Sequence, residues 1–324
     1  MRLRLLWLVA CGIALAGAGE TRAQTWPTKP IRIVTPFPAG GQLDVVVRLL
    51  AEKMSPVLGQ PIVVDNRTGA DGNIGAEAVA RSAPDGYTWL ATTVPFATQI
   101  SLNPSALRYH PVKDFQAVAK MGTSSFVLVV PVDIPVKSVK EFVAYAKANR
   151  GKLSYGGTSV GSVTHLSTEM FKRATGTEME MIPYAGIPPA LTDLVTGRTQ
   201  FMSLGLVAAL PQIKAGKLRP LAVLDDARHP LLPDVLTIVD EGYADLVVGT
   251  WFGLFVPVQT PKDIVARINA EVMKAMQSPE VLDKYKSIGV EPVKAHDADA
   301  FARQFDAEIV RWGKVVVDAK IKTE

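Results

Sequence analysis

Two apolar periods alternate along the chain. A β-branched run at residues 31–34 leads into the turn Pro36-Phe37-Pro38-Ala39-Gly40-Gly41. After it Leu43, Val46, Val47, Leu50, Met54, Val57 and Leu58 recur at three- and four-residue spacing up to Gly59, which predicts strand, turn and amphipathic helix. The order returns with a strand over 62–65, a glycine-spaced turn over 69–75, a helix ending before Pro84-Asp85-Gly86, and a strand over 87–92. Such alternation predicts a parallel sheet with helices on both faces.

After Asp114 the pattern restarts. Strands are predicted over 126–130, 152–155, 179–183, 199–203 and 218–224, separated by helices over 139–149, 163–174, 188–195 and one ending at Ala215-Gly216. The apolar run 247–258 is placed as a crossing back to the first unit, and the remainder is helical, with Pro261 and Pro279 near helix starts and a last helix over 298–317. No repeat of fixed period is visible. The expectation is an α/β protein of two lobes, the first discontinuous (24–125 plus 248–324) and the second over 126–247.

Residues 1–23 have the layout of a secretory signal peptide: Arg2 and Arg4, an apolar run over 5–18, and Thr21-Arg22-Ala23 before a cut that leaves Gln24 first. The run is too short and too rich in Gly and Ala for a membrane span. Removing it lowers the formal net charge from +4 to +2 and takes the chain's one cysteine, Cys11. That balance suggests no nucleic-acid partner, and a thiol-free mature chain has no disulfide, cysteine nucleophile or thiolate metal site. The histidines, His110, His165, His229 and His296, are scattered and form no ligand pair, so no metal or cofactor is expected.

Two strand-to-helix turns carry the candidate chemistry. In open α/β sheets ligands bind outside the carboxyl ends of the strands, where helix N-termini favour anions. At the first turn, 38–44, Gly40 and Gly41 would let the backbone approach a ligand, although a tight connection alone explains them equally well. The second, 156–164, adds the hydroxyls of Thr158, Ser159 and Ser162. It also spells Gly157-Thr158-Ser159-Val160-Gly161, a G-x-S-x-G nucleophile elbow, with Asp225 or Asp226 and then His229 or His296 available in serine-hydrolase order. No oxyanion segment precedes it and the first turn has no nucleophile, so the hydrolase reading stands second.

These motifs resemble one family over the whole mature chain, the receptors of tripartite tricarboxylate transporters, also called Bug proteins. The resemblance rests on Trp26-Pro27-Thr28-Lys29-Pro30, the 36–41 turn with Asp44, Gly59-Gln60-Pro61, Asn66-Arg67, Gly72-Asn73-Ile74-Gly75, Ala83-Pro84-Asp85-Gly86-Tyr87, His165-Leu166, the stretch 213–219 and Trp251-Phe252-Gly253. It implies a two-lobe type II periplasmic binding-protein fold with two crossover strands and no catalytic residue. It further implies a carboxylated ligand in the interlobe cleft, held partly through water by Phe37, Ala39, Gly40, Gly41, Gln42, Thr92 and Thr93 on one lobe and Thr158, Ser159, Gly161 and Ser162 on the other. Such receptors deliver ligand to a large and a small membrane subunit, while some act as sensors; a monomer is expected.

Two departures from the family pattern stand out. Gln42-Leu43 replaces a common Pro-Thr, and Leu204-Gly205 stands where many relatives carry Asp-Asn. With Leu204 facing the cleft, a ligand ammonium would lack a partner, so the expected ligand is a mono- or dicarboxylic acid without an amine, aromatic acids included.

Overall fold

The computed structural model describes residues 26–105, 107–158, 160–318 and 321. The expected signal segment and Ser159 lie outside the described residues. Each lobe is an α/β layer built on five strands. In the first, β1 (Ile31–Thr35), β2 (Ile62–Asn66) and β3 (Thr88–Thr92) run parallel, Ile31 opposite Ile62 and Ile33 opposite Trp89. Next to β3 lies β9 (Gly249–Pro257), antiparallel, and beyond it the first half of β4 (Phe115–Pro131).

The second lobe repeats this plan. Strands β5 (Ser154–Gly157), β6 (Glu180–Pro183), β7 (Met202–Gly205) and β8 (Leu218–Val223) surround the second half of β4. β6 pairs with β5, β5 touches the start of β7 through Tyr155 and Phe201, and β7 and β8 flank β4 in antiparallel register. The lobes thus have orders β2-β1-β3-β9-β4 and β6-β5-β7-β4-β8, each with one reversed strand in fourth place. The alternation predicted the parallel strands, and the two crossing strands that the resemblance implied, β4 and β9, make each sheet mixed.

β4 reaches both lobes because it is 17 residues long, roughly 55 Å at about 3.3 Å per residue. It changes partners after Ser125, from β9 to β7 and β8. The sequence predicted only its second half. The first half carries Gln116, Lys120, Gly122, Thr123 and Ser124 and shifts register twice against β9, irregularities that bend a strand from one sheet into another. Gly122 sits where this bend packs on the C-terminal segment: an added Cβ would come within 3.0 Å of Val290.

The helices are α1 (Gln42–Leu58), α2 (Asn73–Ala80), α3 (Pro95–Leu102), α4 (Val139–Ala148), α5 (Val163–Thr175), α6 (Ile187–Val195), α7 (Leu206–Lys214), α8 (Lys262–Met276), α9 (Pro279–Ile288) and α10 (Ala298–Asp318). α3 was not predicted, because eight residues with polar Thr98, Gln99 and Ser101 give no clear stripe. β5 is displaced from the predicted 152–155 and takes in Gly156, bare against Met202 of β7, and Gly157, whose missing side chain leaves room for Met181 of β6. One core packs α1 and α8 against the first sheet, around Val46, Leu50, Trp89, Phe252 and Ile268. A second, running under both lobes, includes Phe142, Phe171 and Phe201 in a stack with centroids 4.7 to 6.2 Å apart. Replacing the fully buried Phe201 with alanine should cost about 3–5 kcal/mol, read as a lowered urea midpoint with little change in the transition slope.

Candidate functional site: a cleft at converging helix starts

The strand order sends the carboxyl ends of β1, β3, β5, β6 and β7 towards one cleft, and the helices that follow these strands begin there. Gly41 and Gln42 open α1, Thr93 and Pro95 belong to the start of α3, and Ser162, Val163 and Thr164 open α5. Gly186, Ile187 and Pro188 open α6, and Gly205 caps α7. All line a cavity of about 180 Å³, closed off by Phe37, Pro38, Leu43, Phe126 and Phe252. Volume near 150 Å³ suffices for a benzene-sized guest.

No lysine, arginine or histidine lines this cavity among the described residues, and its one charged side chain is Asp44. Five helix N-termini supply the positive potential instead, each equivalent to roughly half a charge over its first turn. Walls that are mostly apolar lower the local dielectric and strengthen those dipoles.

The first turn is held by Asp44. Its Oδ2 accepts from the Gly40 backbone N–H at 3.0 Å and from Arg48 Nε at 2.9 Å, and its Oδ1 accepts from Asn66 Nδ2 at 3.0 Å. Asn66, at the end of β2, also donates to Thr35 Oγ1 and to the Phe37 carbonyl, so one carboxylate and one amide fix the turn to two strands and a helix. Burial by itself would raise the Asp44 carboxyl. The bonds from Arg48, Gly40 and Asn66 outweigh it and hold the carboxyl below the usual range. Gly40, at φ 80°, serves the turn rather than the cavity: its N–H is spent on Asp44 and it does not line the cleft.

The second turn is a hydroxyl cluster. Ser162 Oγ lies 2.8 Å from Thr164 Oγ1, Thr158 Oγ1 lies 3.2 Å from the same atom, and Ser162 caps α5 through the His165 N–H. The imidazole of His165 accepts from the Gly161 N–H at 3.0 Å through Nδ1, and burial lowers its affinity for a proton, so the ring is a neutral brace behind the turn. Gly161, at φ 82°, is pressed against lobe 1: its carbonyl accepts from Thr98 Oγ1 of α3, and a Cβ would run into Leu102.

Of the residues named from sequence, Phe37, Ala39, Gly41, Gln42, Thr93, Thr158 and Ser162 are at the cavity wall. Thr92 is buried within β3 beside it, and Gly161, inside the second turn, faces α3 rather than the cavity. Leu204 requires a correction. It is fully buried in the core of the second lobe with Val127, Met202 and Leu206, because alternation along β7 turns residue 204 inward and leaves Gly205 at the cleft. Thr164, the last residue of the second candidate turn, is at the wall too, whereas sequence reasoning missed Gly186-Ile187-Pro188, Phe126 and Thr250. Gly-Ile-Pro at a helix start was the signal available for α6. Phe252, part of the Trp251-Phe252-Gly253 motif, is buried and forms cleft wall.

The hydrolase partners do not assemble at this turn. Asp225 accepts from Ser125, and His229 sits beside Glu291 with Nδ1 accepting from Leu231, while His296 accepts from the Lys120 backbone. None of these lines the cavity.

Comparison with known proteins now separates the readings. Residues 46–321 match the model of the tripartite tricarboxylate transporter family receptor. The chain belongs to that family. BugT of Bordetella pertussis is 38% identical over 98% of this chain and 99% of its own. Among solved structures, R. palustris Rpa4515 with adipate has 37% identity and a TM-score of 0.87 over 92% of this chain and 99% of its own. MatC of Rhodopseudomonas palustris with bound malate has 33% identity and a TM-score of 0.84 over 90% of this chain and all of its own. As a member of the family the chain is a periplasmic solute-binding receptor, not an enzyme, and it has the family's two-lobe fold.

The Asp44 network predicts an acid-sensitive receptor. A folded carboxyl below its unfolded value, about 3.9, stabilises fully above that pH and loses its contribution as pH falls through the folded value. Asp44→Ala should cost about 1–3 kcal/mol at neutral pH by stranding its donors, and its melting temperature should converge on wild type below about pH 4. A gap that stayed constant down to pH 2 would show that the carboxylate is not the anchor.

Proposed function

We propose that this receptor captures a small carboxylic acid without an amine, mono- or dicarboxylic, and hands it to the large and small membrane subunits of a tripartite transporter. The observation that carries the reading is the convergence of five helix starts on a cavity that has no basic side chain among the described residues. Such a site stabilises an anion through N–H and hydroxyl donors. Adipate and malate in the two solved relatives belong to this chemical class.

Exclusion of amines rests on a different residue from the one the sequence suggested. Leu204 is in the core, and Asp44, the one carboxylate at the wall, is already engaged by three donors. An ammonium would have to break that network or remain unpaired. Ligand contacts come from Phe37, Ala39, Gly41, Gln42 and Thr93 in one lobe and Thr158, Ser159, Ser162 and Thr164 in the other. Closure turns on β4 and β9, between lobes comprising 24–125 with 248–324 and 126–247. Segment 1–23 directs export, and the receptor works as a monomer.

Calorimetric titration with adipate, malate and benzoate against glutamate and aspartate tests the proposal. At least one amine-free acid should bind, and at a hundredfold excess over its Kd it should stabilise the fold by about 2.7 kcal/mol. Tight binding of the amino acids alone would overturn it.

A further inference from the structure

The two lobes meet over the cavity at Gln42 of α1 and Gly205 of β7. A Cβ built on Gly205 would lie 2.2 Å from Gln42 Nε2 and 3.0 Å from both Cδ and Oε1, so the carboxamide rests directly on the bare Cα of the opposite lobe. Gln42 makes no side-chain hydrogen bond to any described residue, although it is at the wall of a site otherwise furnished with paired hydroxyls. An amide placed in a low-dielectric cleft with its donors unspent is a strong group for a carboxylate that arrives there.

The geometry points to Gln42 as the specificity-determining donor of this cleft, with Gly205 as its positioning residue: the absent side chain at 205 lets the lobes close with the Gln42 amide set against the ligand's carboxylate. This inference rests on the carboxylate reading above. Gln42 approaches from the first lobe and Gly205 from the second, so their contact exists only when the lobes are together. The obstructing atoms are the far end of a flexible chain. A methyl at 205 would therefore displace the amide without disturbing the fold.

A double-mutant cycle reads this directly. Wild type, Gln42→Ala, Gly205→Ala, the double variant and the near-isosteric Gln42→Glu are titrated with adipate, malate and benzoate, with melting curves taken without ligand. Gly205→Ala should weaken binding by roughly tenfold, the scale of one hydrogen bond to a charged acceptor, and should change affinity by less than about twofold once Gln42 is alanine. Gln42→Glu should lose at least about tenfold by turning carboxylate oxygens towards the ligand, with unliganded melting unchanged. Equal Gly205→Ala effects in both backgrounds, or Gln42→Glu binding as tightly as wild type, would overturn the inference while leaving the carboxylate reading intact. A wild-type protein that binds none of the three acids would overturn both.

Discussion

Among the described residues the cleft holds no cationic side chain, so the favourable potential for an anion in it comes chiefly from the directions in which helices point. That constraint reaches the whole topology. Helix starts face one place only if the preceding strands are parallel within each lobe and both lobes turn the same edges inward. The orders β2-β1-β3-β9-β4 and β6-β5-β7-β4-β8 meet that condition twice. The reversed strand in each order, β9 in one and β4 in the other, carries the chain between lobes without spending an edge that faces the cleft. Long crossing strands are therefore part of the electrostatics as much as of the connectivity.

Within that frame the side chains at the cleft do two separate jobs. Asp44, Asn66, Arg48 and His165 spend their hydrogen bonds on the protein, fixing the two turns so that no large rearrangement is needed when a ligand arrives. Thr158, Ser162, Thr164 and Gln42 face the cavity. The division explains how a carboxylate can stand at the wall of a site for anions: Arg48 and two further donors neutralise Asp44 locally, and its remaining field is weak beside five aligned helix starts.

Much of this was legible in the sequence. The strand-turn-helix order around Gly40-Gly41 and the hydroxyl-bearing turn before Val163 are local patterns, fixed by glycine tolerance and helix capping, and they stand where they were expected. What was hidden depended on tertiary context. The first half of β4 looks like a loop because it is polar and bulged, and it is a strand only because β9 pairs with it. The repeated five-strand plan leaves no periodic trace, since the first lobe takes its fourth strand, β9, from a distant part of the chain while the second draws on one continuous stretch. Leu204 and Gly205 were separable only by strand phase, and a one-residue error in phase exchanges core for cleft.

β9 stands between β3 and β4 in the finished molecule, yet it is synthesised after every other strand. The second lobe has its full set of strands once Val223 has been made. The first must wait for Pro257, with one edge of β3 and the first half of β4 unpaired in the meantime. A growing chain thus passes through a half-finished stage in which one lobe can close its sheet and the other offers an open edge to whatever strand is near. The arrangement that aims the cleft's dipoles also makes the C-terminal third of the chain the last gate to a native molecule.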